Sequence, residues 1–332
     1  MSKLNLPLGG WAICRQLLLL GALCLVFMPS WQIARGIGAG AVYGPYGPEG
    51  PRLREQLWVV PGGDPKVPLR ATVFRPPENA PAPSVPSALK GSGGARRPLV
   101  VINHGSDEST REAVSMPVFY WLSKWFVDRG YVVVLPQRRG HGATGGDLAE
   151  GGDTCANPNH YAAGLAAADD IEAVLRYMAG QSFIDPTQLV VAGVSTGGWA
   201  ALALASRNPP GVQLVVNFAG GRGGHAYGEP NAVCGQDRLI EAVGAYGHGA
   251  KVPTLWIYAA NDSYFGPDLA TSMALAWKSG GGRADLRLLP AYGSEGHDVV
   301  SAGAGWRLWG RELESSLAHL LDSGRVRTSH AP

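Results

Sequence analysis

Residues 188–198 read QLVVAGVSTGG, and this stretch decides the fold. An apolar run typical of a buried strand ends at Val194, and a run of small, helix-compatible residues begins at Thr196. The G-x-S-x-G pattern between them is typical of a sharp strand-to-helix turn that lifts a serine hydroxyl above the edge of a sheet. Its glycines leave room where side chains would collide with neighbouring elements. We therefore interpret Ser195 as a nucleophile; a purely structural turn is the alternative in so glycine-rich a chain.

Strands and helices alternate on both sides of this turn. Short apolar strands that alternate with helices imply an α/β fold, with a mostly parallel central sheet and helices on both faces. An antiparallel hairpin over 56–74 precedes it, and the composition of residues 76–97, rich in Pro, Ala and Gly, predicts a flexible loop. The predicted strands are 56–60, 69–74, 99–103, 131–135, 188–194, 212–218, 254–259 and 286–289, and the predicted helices are 114–129, 160–180, 196–207 and 306–321.

A serine hydroxyl is a weak nucleophile, so the elbow predicts a base and an acid that orients it. In folds with this elbow they follow the serine in the order Asp or Glu, then His, on loops after strands. Asp262 directly follows the strand 254–259 and is the predicted acid. Asp268 falls in the helix expected next, and Asp185 precedes its strand, at the wrong end of the sheet. A turn or helix-capping role for Asp262 is the alternative.

The predicted base is His297, which lies just past the last predicted strand and before the closing helix. Its position in the chain is the one that the order of the three residues requires. A surface-loop histidine without a catalytic role is the alternative. The other histidines considered lie before the acid strand (His225 and His248), inside the last helix (His319) or in a polar tail (His330).

Backbone N–H groups must also stabilise the oxyanion that forms during acyl transfer. The helix that begins at Thr196 offers one such donor at its N-terminus, where the helix dipole favours negative charge. A second donor is expected in the loop after the strand 99–103, from Gly105 or Ser106. His104 in the same loop is interpreted as an orienting or bracing residue rather than as a base.

Several motifs together resemble the dienelactone-hydrolase-like branch of the α/β-hydrolases, which grades into the prolyl-oligopeptidase-like branch. They are the hairpin end ATVFRP at 71–76, Asn103-His104-Gly105, Gln137-Arg138-Arg139-Gly140, the Ser195 elbow and the Asp262 and His297 loops. The resemblance covers roughly residues 53–321. It implies hydrolysis of carboxylic esters, lactones or related acyl compounds through a Ser-His-Asp triad, without a cofactor or metal. Dienelactone hydrolases use a cysteine nucleophile, so Ser195 puts dienelactone itself in doubt as the substrate.

The pocket and the substrate are less well defined by the sequence. Trp199, Tyr264, Phe265 and Tyr161 are candidates for an apolar acyl pocket, with a place in the core as the alternative. The loops 140–160 and 221–251 are expected to shape this pocket. A small-molecule ester or lactone is the expected substrate, a peptide is the alternative, and a non-catalytic envelope binding protein on the same scaffold is a third hypothesis. The sequence does not indicate the oligomeric state.

The first forty residues have the layout of an export signal. Lys3 and Arg15 precede the apolar run 17–28, and Pro29-Ser30 and the A-x-A-like site 39–41 follow. Residues 1–41 are therefore predicted to be a signal peptide or an uncleaved membrane anchor, and residues 42–332 a single catalytic domain. The protein is expected to be periplasmic, secreted or anchored at the membrane, which fractionation of the host would test.

The cysteines predict a disulfide rather than a zinc site, and the charge argues against nucleic-acid binding. Beyond the targeting segment the sequence holds Cys155 and Cys234, and an oxidising compartment favours a disulfide between them over two free thiols. Neither has a His or Cys at the spacing of a zinc site. The formal net charge is +2, and the basic residues form no stripe, so nucleic-acid binding is not expected.

Overall fold

A sheet of nine strands forms the centre of the part of the chain that the structure describes. The computed structural model describes residues 42–78, 80, 96–106 and 109–328, all within the compact unit Ala39–Pro332. The predicted signal or anchor (1–41) and most of the predicted loop 76–97 lie outside these residues. The strands are β1 (Gly44–Tyr46), β2 (Gln56–Val60), β3 (Leu69–Phe74), β4 (Arg97–Asn103), β5 (Val132–Gln137), β6 (Ile184–Val194), β7 (Val212–Phe218), β8 (Thr254–Ala259) and β9 (Ala284–Leu289).

The spatial order of the strands is β1-β2-β3-β5-β4-β6-β7-β8-β9. The pairs that involve β1, β2 and β3 are antiparallel, and every pair from β5 through β9 is parallel. The predicted N-terminal hairpin at one edge of a mostly parallel sheet is therefore confirmed. Because parallel strands end at the same edge of the sheet, the loops after β4, β6, β7 and β8 meet there.

Helices cover both faces of the sheet, so the central strands are mostly apolar, and all residues of β5 and β8 are buried. The apolar core on one face includes side chains of α2 to α5, and the core on the other face includes side chains of α1 and α6. The helices are α1 (Tyr120–Val127), α2 (His160–Ala179), α3 (Thr196–Ala205), α4 (Gln236–Gly247), α5 (Pro267–Ser279) and α6 (Trp306–Thr328).

Besides the short edge strand β1, which was not predicted, two larger parts of the structure differ from the sequence-based prediction. The helix predicted over 114–129 begins only at Tyr120, because Pro117 disfavours helical backbone before it and Phe119 adopts a positive φ of 33°. The predicted loop 221–251 contains α4, whose buried side chains Leu239, Ala242, Val243 and Tyr246 follow helical spacing. Among the described residues, no helix is both long enough and apolar enough to cross a membrane.

The predicted disulfide between Cys155 and Cys234 is present, with their Cα atoms 4.7 Å apart. It joins the loop that precedes α2 to the loop that precedes α4, across a sequence separation of 79 residues. Both cysteines line the cavity described below. The bridge therefore fixes two walls of that cavity to each other.

Removing this bridge is expected to lower the free energy of unfolding by about 2–4 kcal/mol, since the reduced chain gains loop entropy in the unfolded state. The test compares chemical denaturation of the oxidised wild type with that of the Cys155→Ser/Cys234→Ser double variant. The wild type in reductant serves as the matched control and should unfold like the variant. Equal unfolding free energies for the oxidised protein and the variant would contradict this expectation.

Candidate active site

Ser195 lies in the turn between β6 and α3, in a backbone conformation that few non-glycine residues adopt. Its φ is 56° and its ψ is −125°. The turn is fixed by backbone hydrogen bonds: Ser195 N–H donates to the Phe218 carbonyl at 3.0 Å, and the Ser195 carbonyl accepts from Trp199 N–H at 3.0 Å. A Cβ on Gly193 would lie 2.6 Å from Gly198 N, so the pattern of glycines is required for strand and helix to approach each other. Strain of this kind is typical of functional sites.

Asp262 and His297 form a hydrogen-bonded pair after β8 and β9. His297 Nδ1 donates to Asp262 Oδ2 at 3.1 Å and lies 3.2 Å from Oδ1. Asp262 is 2% exposed, and its Oδ1 also accepts from the N–H groups of Tyr264 at 2.8 Å and Phe265 at 2.9 Å. A carboxylate on Nδ1 selects the tautomer in which Nε2 has a free lone pair, as a general base requires.

Ser195 and His297 line the same cavity, of about 430 Å³. Within the described residues, no hydrogen bond of 3.5 Å or less joins Ser195 Oγ to the imidazole. Such contacts are often longer in a ligand-free enzyme and shorten when substrate binds. The predicted serine and base thus line one cavity, and the predicted acid, which is buried and does not line it, is already hydrogen-bonded to the base.

Among the described residues, none of the alternative acids and bases forms a carboxylate–imidazole pair like that of Asp262 and His297. Asp268 lies in the first turn of α5, and Asp185 lies at the start of β6, where it accepts hydrogen bonds from Thr187 and Gln188. His225 Nε2 is bonded to the Ser263 hydroxyl at 2.8 Å, not to a carboxylate. His248 follows α4, and His319 lies in α6.

The three predicted oxyanion donors have different surroundings. Ser106 N–H donates to Thr196 Oγ1 at 3.1 Å, so it already has a partner. Gly105 lies against the serine: a Cβ there would come within 2.6 Å of Ser195 Cβ. Thr196 is the first residue of α3, where the backbone N–H groups have no partner inside the helix. The N–H groups of Gly105 and Thr196 are therefore the better placed candidates.

A network of buried polar side chains, three of which were not predicted as part of the site, lies behind the loop that carries Gly105. The side chain of Arg138, the residue after β5, pairs with Glu150 at 2.8 Å and donates to the His104 carbonyl at 2.5 Å. His141 Nδ1 lies 3.2 Å from the Arg138 carbonyl, which makes Nδ1 the donor, and its Nε2 then accepts from Ser106 Oγ at 2.6 Å. His104 Nε2 accepts from the Arg138 N–H at 3.1 Å, consistent with the predicted bracing role.

Burial sets the charges in this network. It lowers the pKa of His104 well below its usual value, and the nearby Arg138 guanidinium adds to the effect. The pKa of His141 is lowered for the same two reasons. Burial alone would raise the pKa of Glu150, but its ion pair with Arg138 outweighs burial and lowers it. At neutral pH both histidines are therefore neutral and Glu150 is ionised.

Of the four predicted pocket residues, Tyr264 and Phe265 line the cavity, and Trp199 and Tyr161 do not. Trp199 is 1% exposed because α3 is packed between the sheet and α2; its Nε1 donates to the His160 carbonyl at 2.9 Å. Tyr161 is 45% exposed and stacks on Tyr246. Among the described residues, no group of three or more His, Cys, Asp or Glu side chains is arranged to hold a metal ion.

Sequence comparison supports a relationship for part of the chain. Residues 117–220, which include α1 to α3 and Ser195, match the sequence profile of the prolyl oligopeptidase family. No curated protein matches this chain.

Solved structures give a relationship at the level of the fold. An acetyl xylan esterase from Paenibacillus sp. R4 aligns with a TM-score of 0.52 and 16% identity, over 85% of this chain and 88% of that one. A puromycin-hydrolyzing peptidase from Mycobacterium tuberculosis aligns with a TM-score of 0.52 and 18% identity, over 80% of this chain but only 39% of that one. A protein assigned as a dienelactone hydrolase from Klebsiella pneumoniae aligns with a TM-score of 0.43 and 16% identity, over 72% and 90%.

Proposed function

The chain has the α/β-hydrolase fold, and we propose that it is a serine hydrolase that cleaves carboxylic esters or lactones through Ser195, His297 and Asp262. One observation carries the proposal: a strained serine at a strand-to-helix elbow shares a cavity with an imidazole whose Nδ1 is bonded to a buried aspartate. These are the groups that nucleophilic acyl transfer needs, in the chain order that the fold uses.

The proposed reaction has two steps. His297 Nε2 takes the proton of the Ser195 hydroxyl while Oγ attacks the carbonyl carbon, and the protonated imidazole then returns the proton to the leaving alcohol. Water, deprotonated by the same nitrogen, releases the acid from the acyl-enzyme and regenerates the serine. Asp262 stabilises the imidazolium in both steps, and the N–H groups of Gly105 and Thr196 bind the oxyanion.

The cavity supports a small substrate. It is closed on one side by the disulfide-linked loops, and its volume of about 430 Å³ is in the range of small-molecule sites. The match to the prolyl oligopeptidase family keeps a peptidase as the second candidate function. The two candidates share the acyl-enzyme and differ in the leaving group, an alcohol or an amine.

A fluorophosphonate probe is expected to label the wild-type protein at Ser195, since the probe reacts only with a serine that a base activates. A parallel assay compares 4-nitrophenyl acetate with 4-nitroanilides of short peptides. Hydrolysis of the ester without Ser195-dependent hydrolysis of the anilides supports the proposed function. Ser195-dependent hydrolysis of the anilides supports a peptidase, because the activated ester is cleaved by either class of enzyme. Failure of the probe to label a folded protein would contradict both, because it would leave no activated serine.

Export stays part of the proposal. The disulfide between Cys155 and Cys234 supports it, since such bridges persist mainly in oxidising compartments. The predicted signal or anchor lies outside the described residues.

A further inference from the structure

Glu295, a residue without a role in the mechanism above, lies where the loop of the acid and the turn of the base meet. We propose that Glu295 is a positioning residue for proton transfer at His297: its carboxylate ties the backbone of the base to the loop that carries the acid. This inference rests on the proposed function, because it concerns the same reaction.

Three donors converge on the Glu295 carboxylate. Oε1 accepts from the backbone N–H of His297 at 2.8 Å and from that of Ser263 at 3.1 Å. Oε2 accepts from the Ser263 hydroxyl. Burial by itself would raise the pKa of Glu295, but the hydrogen bonds from Ser263 and His297 outweigh it and lower the pKa, so the group is ionised at neutral pH. Hydrogen bonds to an ionised acceptor are stronger than those to a neutral one.

The imidazole of His297 is also held by its ring face. Tyr264 stacks on it with ring centroids 4.3 Å apart, and His225 stacks on Tyr264 at 3.6 Å. The ring of His225 is fixed in turn, because its Nε2 donates to the Ser263 hydroxyl that donates to Glu295. Ser263 therefore contacts both the Glu295 carboxylate and the His225 ring of the stack.

Glu295 restrains the backbone of His297, which the contact with Asp262 does not restrain. Asp262 holds the ring at Nδ1, so the ring can still move with its backbone. Glu295 fixes that backbone relative to Ser263, the residue next to the acid in the chain. A misplacement of about 1 Å in a catalytic group can cost on the order of 100-fold in rate. The rate of acyl transfer should therefore depend on Glu295 although it touches neither the substrate nor the imidazole ring.

The test measures hydrolysis of 4-nitrophenyl acetate by Glu295→Ala and Glu295→Gln. For Glu295→Ala we expect kcat to fall by about 10–100-fold with KM changed by less than about 3-fold. Glu295→Gln keeps an oxygen for both N–H donors, so most of the lost kcat should return. The matched control is Glu314→Ala, which removes a glutamate paired with Arg129 on the surface and should leave kcat unchanged.

Each outcome decides between defined alternatives. If Glu295→Ala has the kcat of the wild type, the inference is overturned and the proposed function stands. If Glu295→Gln is no better than Glu295→Ala, or if KM rises with the fall in kcat, the residue is a general structural support and the inference also fails. If Glu295→Ala does not fold, Ser263→Ala, which removes one donor, carries the test and should lose kcat at unchanged KM. Absence of Ser195-dependent hydrolysis in the wild type would instead overturn the proposed function.

Discussion

Replacing Ser195 by alanine is expected to abolish ester hydrolysis and to leave the fold intact. Loss of the nucleophile of a triad lowers kcat by about 10⁴- to 10⁶-fold, and the residual rate comes from the oxyanion donors and substrate binding. Alanine keeps the Cβ that the elbow already accommodates at a φ of 56°, so the backbone should not change. The fold should survive because the turn is fixed by backbone hydrogen bonds and not by the hydroxyl.

The measurement is kcat for 4-nitrophenyl acetate, with circular dichroism to confirm folding. Ser272→Ala, on α5 and exposed, is the matched control and should keep the wild-type rate. His297→Ala should lose about as much as Ser195→Ala, and the double variant little more, because the two residues act as a unit. Asp262→Asn should lose less. A Ser195→Ala protein with wild-type kcat would overturn the assignment of the nucleophile.

The sequence was sufficient to predict the parts of the site that depend on chain order. A parallel sheet brings the ends of β6 and β8 and the turn after β9 to one edge, so residues that directly follow those strands must approach each other. Ser195, Asp262 and His297 occupy those positions. The glycines of the elbow identify the serine, and the candidate acid and base are then found after it in the chain. The alternation of apolar strands with helices likewise predicted a mostly parallel sheet covered by helices.

The remaining parts of the site depend on contacts between residues far apart in the sequence. Helix α4 has the apolar spacing of a helix, but glycines interrupt and flank it, which is typical of a loop. Trp199 fits a pocket by composition, yet α3 is buried on all sides, which no local pattern shows. The roles of Glu295 and Arg138 arise from partners that lie on other loops. Prediction from sequence therefore gave the candidate serine, acid and base, and it missed the side chains that pack behind or beside their loops.

Arg138→Met is expected to lower the free energy of unfolding by up to about 3–5 kcal/mol, because the largely buried Glu150 carboxylate loses its ion pair. Arg138 is 1% exposed, and two of its guanidinium nitrogens donate to Glu150, at 2.8 and 3.1 Å. Chemical denaturation at neutral pH measures the loss. Arg52→Met is the matched control, since it removes an exposed pair with Glu55 and should cost no more than about 1 kcal/mol.

The difference in unfolding free energy between the wild type and Arg138→Met should depend on pH. In the wild type the pKa of Glu150 is lowered by folding, so its contribution to stability is present above the usual pKa of 4.5 and is lost as pH falls through the folded value. Without Arg138, only His141 and Arg222 still oppose the effect of burial, so the pKa of Glu150 should be higher in the variant than in the wild type. The wild type and Arg138→Met should therefore become more similar in stability as pH is lowered from 7 towards 4.

Arg138→Met/Glu150→Leu should recover most of the loss of unfolding free energy at neutral pH, because it removes the unpaired charge. A double variant as unstable as Arg138→Met would show that packing around Arg138, rather than the charge on Glu150, accounts for the effect.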